Sequence, residues 1–116
     1  MNSLAYNALR FGLAVTFIWI GVLIVLDPVA WGAFLKPWAV DLLPLPLITF
    51  VMATGILDIV IGGFLLFNFF PSFAAAIGAI HLAGILVTTG IDAVTVRDIG
   101  LLGAAIALSI ESFRRR

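Results

Sequence analysis

Four long apolar runs, separated by segments of different composition, dominate the pattern of this sequence. Each run is close to the roughly 20 residues that an α-helix needs to cross the hydrocarbon core of a bilayer. The runs therefore predict four transmembrane helices, over residues 7–26, 47–67, 71–89 and 96–113. Because the last two connections are short, the helices should pack as antiparallel neighbours. The predicted fold class is an all-α integral membrane protein, with a single four-span bundle over residues 1–116.

The segment between the first two runs, residues 27–46, differs from the other connections in composition. It contains Trp31, Phe34 and Trp38 together with Lys36 and four prolines. Aromatic residues with scattered charge are typical of the membrane–water interface. We expect an interfacial loop with a short helical turn near residues 29–35, which either lies in the interface or folds over the bundle. Trp31 and Trp38 are then interface anchors, and a lid over a ligand is the alternative.

The composition supports the membrane assignment and narrows the chemistry. Apolar residues make up 64% of the 116 residues and charged residues only 10%, with a mean hydropathy of +1.29, whereas soluble domains are nearer half apolar. Six basic and six acidic residues balance, which excludes a general electrostatic footprint for nucleic acid. With no cysteine and a single histidine, His81, the chain lacks the ligands of iron–sulfur and histidine-rich metal sites. We expect no metal site and no catalytic machinery of its own.

The basic residues near the ends of the runs predict the orientation. Arg10 and the C-terminal triplet 114–116 lie on one side of a four-span bundle, and Lys36 and Arg97 lie on the other. Cytoplasmic loops carry an excess of basic residues. The sequence therefore predicts that both termini lie in the cytoplasm. The triplet is a stop-transfer cluster or, alternatively, an anchor for anionic lipids.

Two ionisable residues fall near the middle of the membrane. Asp58 is near the centre of the second run, and His81 is near the centre of the third. Because these helices are antiparallel, both side chains should reach the same depth, where an unpaired charge costs roughly 2.5–3.5 kcal/mol on insertion scales. One interpretation is a polar pocket, reached from the outer side beneath the Trp31–Trp38 loop, that binds a polar head group or relays a proton. The other is a mutual hydrogen bond that only fixes helix register.

Two further layers of charge lie towards the ends of the bundle. Arg10 and Glu111 should meet near the cytoplasmic end as a structural ion pair. At the outer end, we expect Arg97 to pair with a carboxylate. The candidates are Asp98, Asp92 and Asp27.

Small residues share helical faces with these groups and predict close helix packing. Gly55 and Gly62 lie on the face of Asp58, and Gly78 and Gly84 lie on the face of His81. In the fourth run, the small residues are Gly100, Gly103, Ala104 and Ala107, on the face of Glu111. Small residues let helix backbones approach closely in membranes, so these stripes are interpreted as packing surfaces.

Three stretches of the chain follow the pattern of a known group of small membrane proteins. Leu9–Leu13, with Phe17 and Gly21, has an arginine near the start of a helix and a glycine a few turns on. Gly55–Leu66 has a glycine, an acid, a second glycine and a Leu-Leu pair, and Arg97–Ala104 opens with Arg-Asp. Together these stretches resemble the DoxX-like family of four-span membrane proteins. The family usually has Glu where Asp58 stands, and often a Lys soon after the glycine of helix 1, where this chain is apolar.

The resemblance implies a role in membrane redox chemistry. The family is named from a membrane subunit of a thiosulfate-oxidising quinone reductase system, and other members are linked to oxidative-stress complexes. It implies an accessory subunit of a redox complex in the inner (plasma) membrane that contacts quinone. We expect no intrinsic cofactor, and because the chain has no metal or thiol chemistry of its own, the polar groups left to hold a quinone head group are Asp58 and His81. The expected partners are the lipid bilayer and a larger membrane complex or further copies of the chain.

Two other functions remain open. A purely structural subunit would fill a surface of a larger complex, and nothing in the sequence excludes it. The other alternative is a small dimeric transporter, since the small multidrug exporters have four spans in a chain of similar length. Those exporters need a glutamate embedded in the membrane in span 1. The first run here contains none.

Overall fold

The computed structural model describes residues 2–90 and 96–115, and all regular secondary structure in these ranges is helical. The elements are α1 (Ser3–Leu26), α2 (Pro28–Gly32), α3 (Pro37–Asp41), α4 (Leu47–Leu66), α5 (Pro71–Thr89) and α6 (Val96–Arg114). The four long helices coincide with the four predicted runs, apart from an earlier start of α1. The all-α prediction is confirmed for the described residues.

Three of the long helices, α1, α4 and α5, are long and apolar enough to cross a membrane. α6 has a similar length of 19 residues, but charged side chains lie at both of its ends. Arg97 and Asp98 lie at its start, and Glu111 and Arg114 at its end. Because every 18-residue stretch of α6 contains at least three of these charges, α6 is not among the helices that satisfy the length and composition of a span.

The connection after α1 forms two short helices, where the sequence predicts a single turn near residues 29–35. A carboxylate oxygen of Asp27 accepts the backbone N–H of Ala30 at 3.3 Å, and Pro28 occupies the first helical position of α2. Gly32 of α2 lies against the side chain of Val51. The backbone N–H of Lys36 donates to the carbonyl of Thr88 at 2.8 Å. These contacts fix the segment over one end of α4 and α5.

α1 and α4 form the most closely packed pair of helices. A Cβ atom built on Gly21 would lie 2.6 Å from the carbonyl oxygen of Gly55, and one on Gly62 would lie 2.8 Å from that of Ala14. The two backbones are therefore in direct contact, as the stripe of small residues in the second run predicts.

α5 and α6 form a second pair. The hydroxyl of Ser109 donates to the carbonyl of Ser72 at 3.0 Å, and the rings of Phe73 and Phe113 meet edge to face at 5.6 Å. Each pair packs more extensively within itself than against the other. The core between the pairs contains Leu13, Phe17, Ile61, Leu65, Leu82 and Leu108.

The predicted packing stripe on the fourth run is wrong for most of its length. Gly100, Gly103 and Ala107 are exposed on the outside of α6, and a Cβ atom on either glycine would meet nothing within 4 Å. The other side chains that α6 buries are Ala105, Leu108 and Ser112, which lie on a different face. Only the far end of the predicted face, at Glu111, is buried.

Candidate ligand cavity between the helix pairs

Asp58 and His81 meet in the interior, at the boundary between the two helix pairs. Nε2 of His81 lies 3.0 Å from Oδ1 of Asp58, and the two side chains are 10% and 3% exposed. The distance is that of an ion pair, but the orientation of the ring does not give hydrogen-bond geometry, so Nε2 is a buried polar atom without a hydrogen-bond partner. Buried polar atoms of this kind are uncommon in proteins. The pair therefore retains hydrogen-bonding capacity for a third group.

The tight turn between α4 and α5 sets the common depth of the two side chains. Asn68 and Phe70 both adopt left-handed backbone conformations, with φ of 60° and 45°. Such values are rare for a bulky residue such as Phe70 and mark a strained, sharply reversing turn. Asp58 lies eight residues before the end of α4 and His81 ten residues after the start of α5. At 1.5 Å rise per residue, both lie about 12–15 Å from the turn.

A cavity of about 260 Å³ begins at this pair and runs towards α2. All four long helices contribute apolar side chains to its walls. Examples are Phe17 and Ile20 of α1, Val51 of α4, Leu82 and Ile85 of α5 and Leu101 of α6. Concave, mostly apolar cavities with a few convergent polar groups are the usual form of small-molecule sites.

The threonines on the walls add little polarity, because each hydroxyl donates to a carbonyl of its own helix. The hydroxyls of Thr16, Thr54, Thr88 and Thr89 bind the carbonyls of Gly12, Val51, Gly84 and Ile85 at 2.6–2.9 Å. The chemically distinctive groups on the cavity wall are therefore the Asp58–His81 pair at one end and Arg97 with Asp98 at the other.

Aromatic side chains of the first connection cover the end of the cavity that lies away from the pair. Trp31 and Phe34 line it, with their ring centroids 5.9 Å apart. Trp38 is half exposed and does not contribute to the wall, and Trp19 is exposed on the outside of α1. The structure thus places Trp31 as a cover of the cavity, whereas Trp38 lies apart from it.

The charged residues predicted to pair with Arg97 have different positions. Asp98 lines the cavity together with Arg97, and both make further polar or electrostatic contacts. Asp27 caps α2 through its bond to the N–H of Ala30. Asp92 lies outside the described residues.

Arg10 and Glu111, predicted to bind each other, have separate partners in the structure. Arg10 is buried, and its Nη1 atom donates to the carbonyls of Leu65 and Leu66 at 2.6 and 3.1 Å. A cation is favourable there because the last carbonyls of a helix lack partners and carry negative partial charge. The carboxylate of Glu111 instead lies 3.1 Å from Nη1 of Arg114 and 3.5 Å from Nε of Arg115.

Comparisons with known proteins do not assign a family or a function to this cavity. No protein-family model, curated protein or solved structure matches the chain. The resemblance to the DoxX-like family therefore stays a prediction from the three stretches of sequence. Within the described residues, no group of three or more His, Asp or Glu side chains is placed to hold a metal ion.

Proposed function

We propose that this protein is a four-helix membrane protein of the DoxX-like kind, which binds a quinone head group in the cavity and acts as an accessory subunit of a redox complex in the inner membrane. Both termini lie in the cytoplasm in this proposal, and α6 is the fourth span. The observation that carries it is the buried Asp58–His81 pair on the wall of an otherwise apolar cavity. Ionisable residues inside a membrane are rare and generally mark a functional site.

The chemistry of the pair suits a quinone. The ring of a quinone is apolar, as the cavity walls are, and its carbonyl oxygens accept hydrogen bonds such as the one that His81 has the capacity to donate. Reduction to a quinol takes two electrons and two protons. A partner subunit supplies the electrons, and Asp58 and His81 pass protons from water to the ring oxygens.

One observation favours a second function. The 3.0 Å contact between His81 and Asp58 joins α4 directly to α5. A pair whose only role is to fix the register of the two helices would make the same contact. In that case, the protein is a structural subunit of a membrane complex.

Quinone titration of two near-isosteric variants separates these functions. A protein with Trp19→Phe and Trp38→Phe keeps Trp31 as its single tryptophan, beside the cavity. Saturable quenching of Trp31 by a short-chain quinone then measures binding. Asp58→Asn and His81→Gln should each weaken binding about tenfold or more, since hydrogen bonds to charged groups contribute about 1.5–3 kcal/mol.

The matched control is Asp41→Asn, which removes an exposed carboxylate from the end of α3 and should leave binding unchanged. If Asp58→Asn and His81→Gln also leave the affinity unchanged while the protein stays folded, the pair is structural and the quinone proposal is wrong.

A further inference from the structure

α5 carries an outward-facing stripe of large apolar side chains that is interrupted at one position. Phe73, Ile77, Ile80 and Val87 follow one another at spacings of four, three and seven residues, which places them on one face of the helix. All four are exposed, Ile80 to 73% and Val87 to 66%. Gly84 continues the stripe between Ile80 and Val87 and has no side chain. The outer surface of α5 therefore has a gap at Gly84.

Gly84 also belongs to the wall of the cavity. It is exposed on the surface of α5, and it lines the cavity that contains Asp58 and His81. A Cβ atom built on Gly84 meets no atom within 4 Å, so the space beside its backbone is open. An exposed residue that also lines an internal cavity marks a place where the cavity reaches the surface. Since Gly84 follows His81 by three residues, this opening is about 4.5 Å along the helix from the ionisable pair.

The opposite end of the cavity is partly covered. Trp31 and Phe34 lie across it, two contacts hold this segment in place, and the exposed side chain of Arg97 also lines the cavity there. Gly32 lies against Val51 of α4, and the N–H of Lys36 is bonded to the carbonyl of Thr88 at 2.8 Å. A molecule that arrives from water on this side meets the two aromatic rings and the charged side chain of Arg97 before it reaches the apolar passage.

We propose that the cavity opens sideways to the lipid at Gly84, and that its ligand is a lipid-soluble amphiphile that enters from the bilayer. The polar ring or head group reaches Asp58 and His81, while the apolar tail leaves through the opening beside Ile80 and Val87 and remains among the lipid chains. This inference rests on the proposed quinone-binding, membrane-spanning arrangement. It restricts the ligand to molecules with a long apolar tail and makes Gly84 the position that determines access.

The absence of cysteine from the chain allows a direct test. Thr54→Cys places a single thiol on the cavity wall, one helical turn from Asp58. N-Dodecylmaleimide has a flat ring with two carbonyls and a bilayer-bound tail, whereas a sulfonated maleimide stays in water. In lipid vesicles, N-dodecylmaleimide should label Cys at position 54, and Gly84→Leu should slow this labelling about tenfold.

The matched control is Gly12→Leu, a glycine on the exposed surface of α1 where a Cβ atom also meets nothing within 4 Å. It should leave the labelling rate unchanged. Gly84→Ala adds one methyl group in open space and should give a smaller decrease, which keeps the test decisive if the leucine variant does not fold. Circular dichroism checks the folding of each variant.

The proposal is overturned if Gly84→Leu and Gly84→Ala leave the rate with N-dodecylmaleimide unchanged, if the sulfonated reagent labels as fast as the alkyl one, or if neither reagent reaches position 54. The quinone titration is read separately. Gly84-dependent labelling without quinone binding means that the side opening is present and the quinone assignment is wrong. Quinone binding without an effect of the Gly84 substitutions on labelling means that the quinone assignment holds and the side opening is wrong.

Discussion

Gly21→Ala should destabilise the protein by forcing α1 and α4 apart. The added Cβ atom would lie 2.6 Å from the carbonyl oxygen of Gly55 and 3.0 Å from the backbone nitrogen of Ile59. Ordinary van der Waals contact begins at 3.4 Å, so the two backbones would have to separate by about 0.8 Å. Neither atom belongs to a flexible side chain that can rotate away. Overpacking of this kind costs about 1–3 kcal/mol.

The free energy of unfolding is measured by reversible unfolding in mixed micelles. A denaturing detergent is added, and the loss of helix is followed by far-ultraviolet circular dichroism. Gly12→Ala is the control on the same helix, because its Cβ atom meets nothing within 4 Å. It should leave the free energy of unfolding unchanged or raise it by up to about 1 kcal/mol, since alanine is the better helix former. If Gly21→Ala is as stable as Gly12→Ala, α1 and α4 are not in backbone contact.

Two further predictions concern the charged end and the orientation of the bundle. Arg10→Met should lower the free energy of unfolding by about 1.5–3 kcal/mol, because it removes charge-assisted bonds to the carbonyls of Leu65 and Leu66; an unchanged unfolding midpoint in the same assay would show that these bonds contribute nothing. Single cysteines that replace the exposed residues Ser3 and Asp41 should react with an impermeant thiol reagent from opposite faces of the membrane, and reaction from the same face would contradict the four-span arrangement.

The positions of the helices and the depth of the central pair are readable in the sequence. Long apolar runs bounded by Asp27-Pro28, Pro71 and Gly90 have few other ways to fold. Once α4 and α5 are antiparallel and joined by a short turn, their geometry brings Asp58 and His81 to one depth. This inference needs only the rise of a helix and the number of residues on each side of the turn.

The sequence does not predict which face of α6 is buried, and it does not predict the partners of Arg10. In a membrane protein, apolar and small side chains are found both against the lipid and in the interior. The stripe at Gly100 and Gly103 therefore does not indicate which way it faces. The structure shows that it is exposed. In the sequence, the only visible partners for Arg10 are charged side chains. The acceptors that Arg10 uses are backbone carbonyls at the end of α4, which every helix has and no residue type marks.

The glycines between α1 and α4 and the gap at Gly84 have opposite consequences for the site. Gly21, Gly55 and Gly62 bring α1 and α4 so close that no space remains between them, and α5 and α6 are joined by their own contacts. The cavity lies between the two pairs, where Asp58 and His81 meet across the boundary. A substitution within a pair should therefore change stability before it changes binding. One at the boundary, or at Gly84, should change access to the cavity while the pairs stay intact.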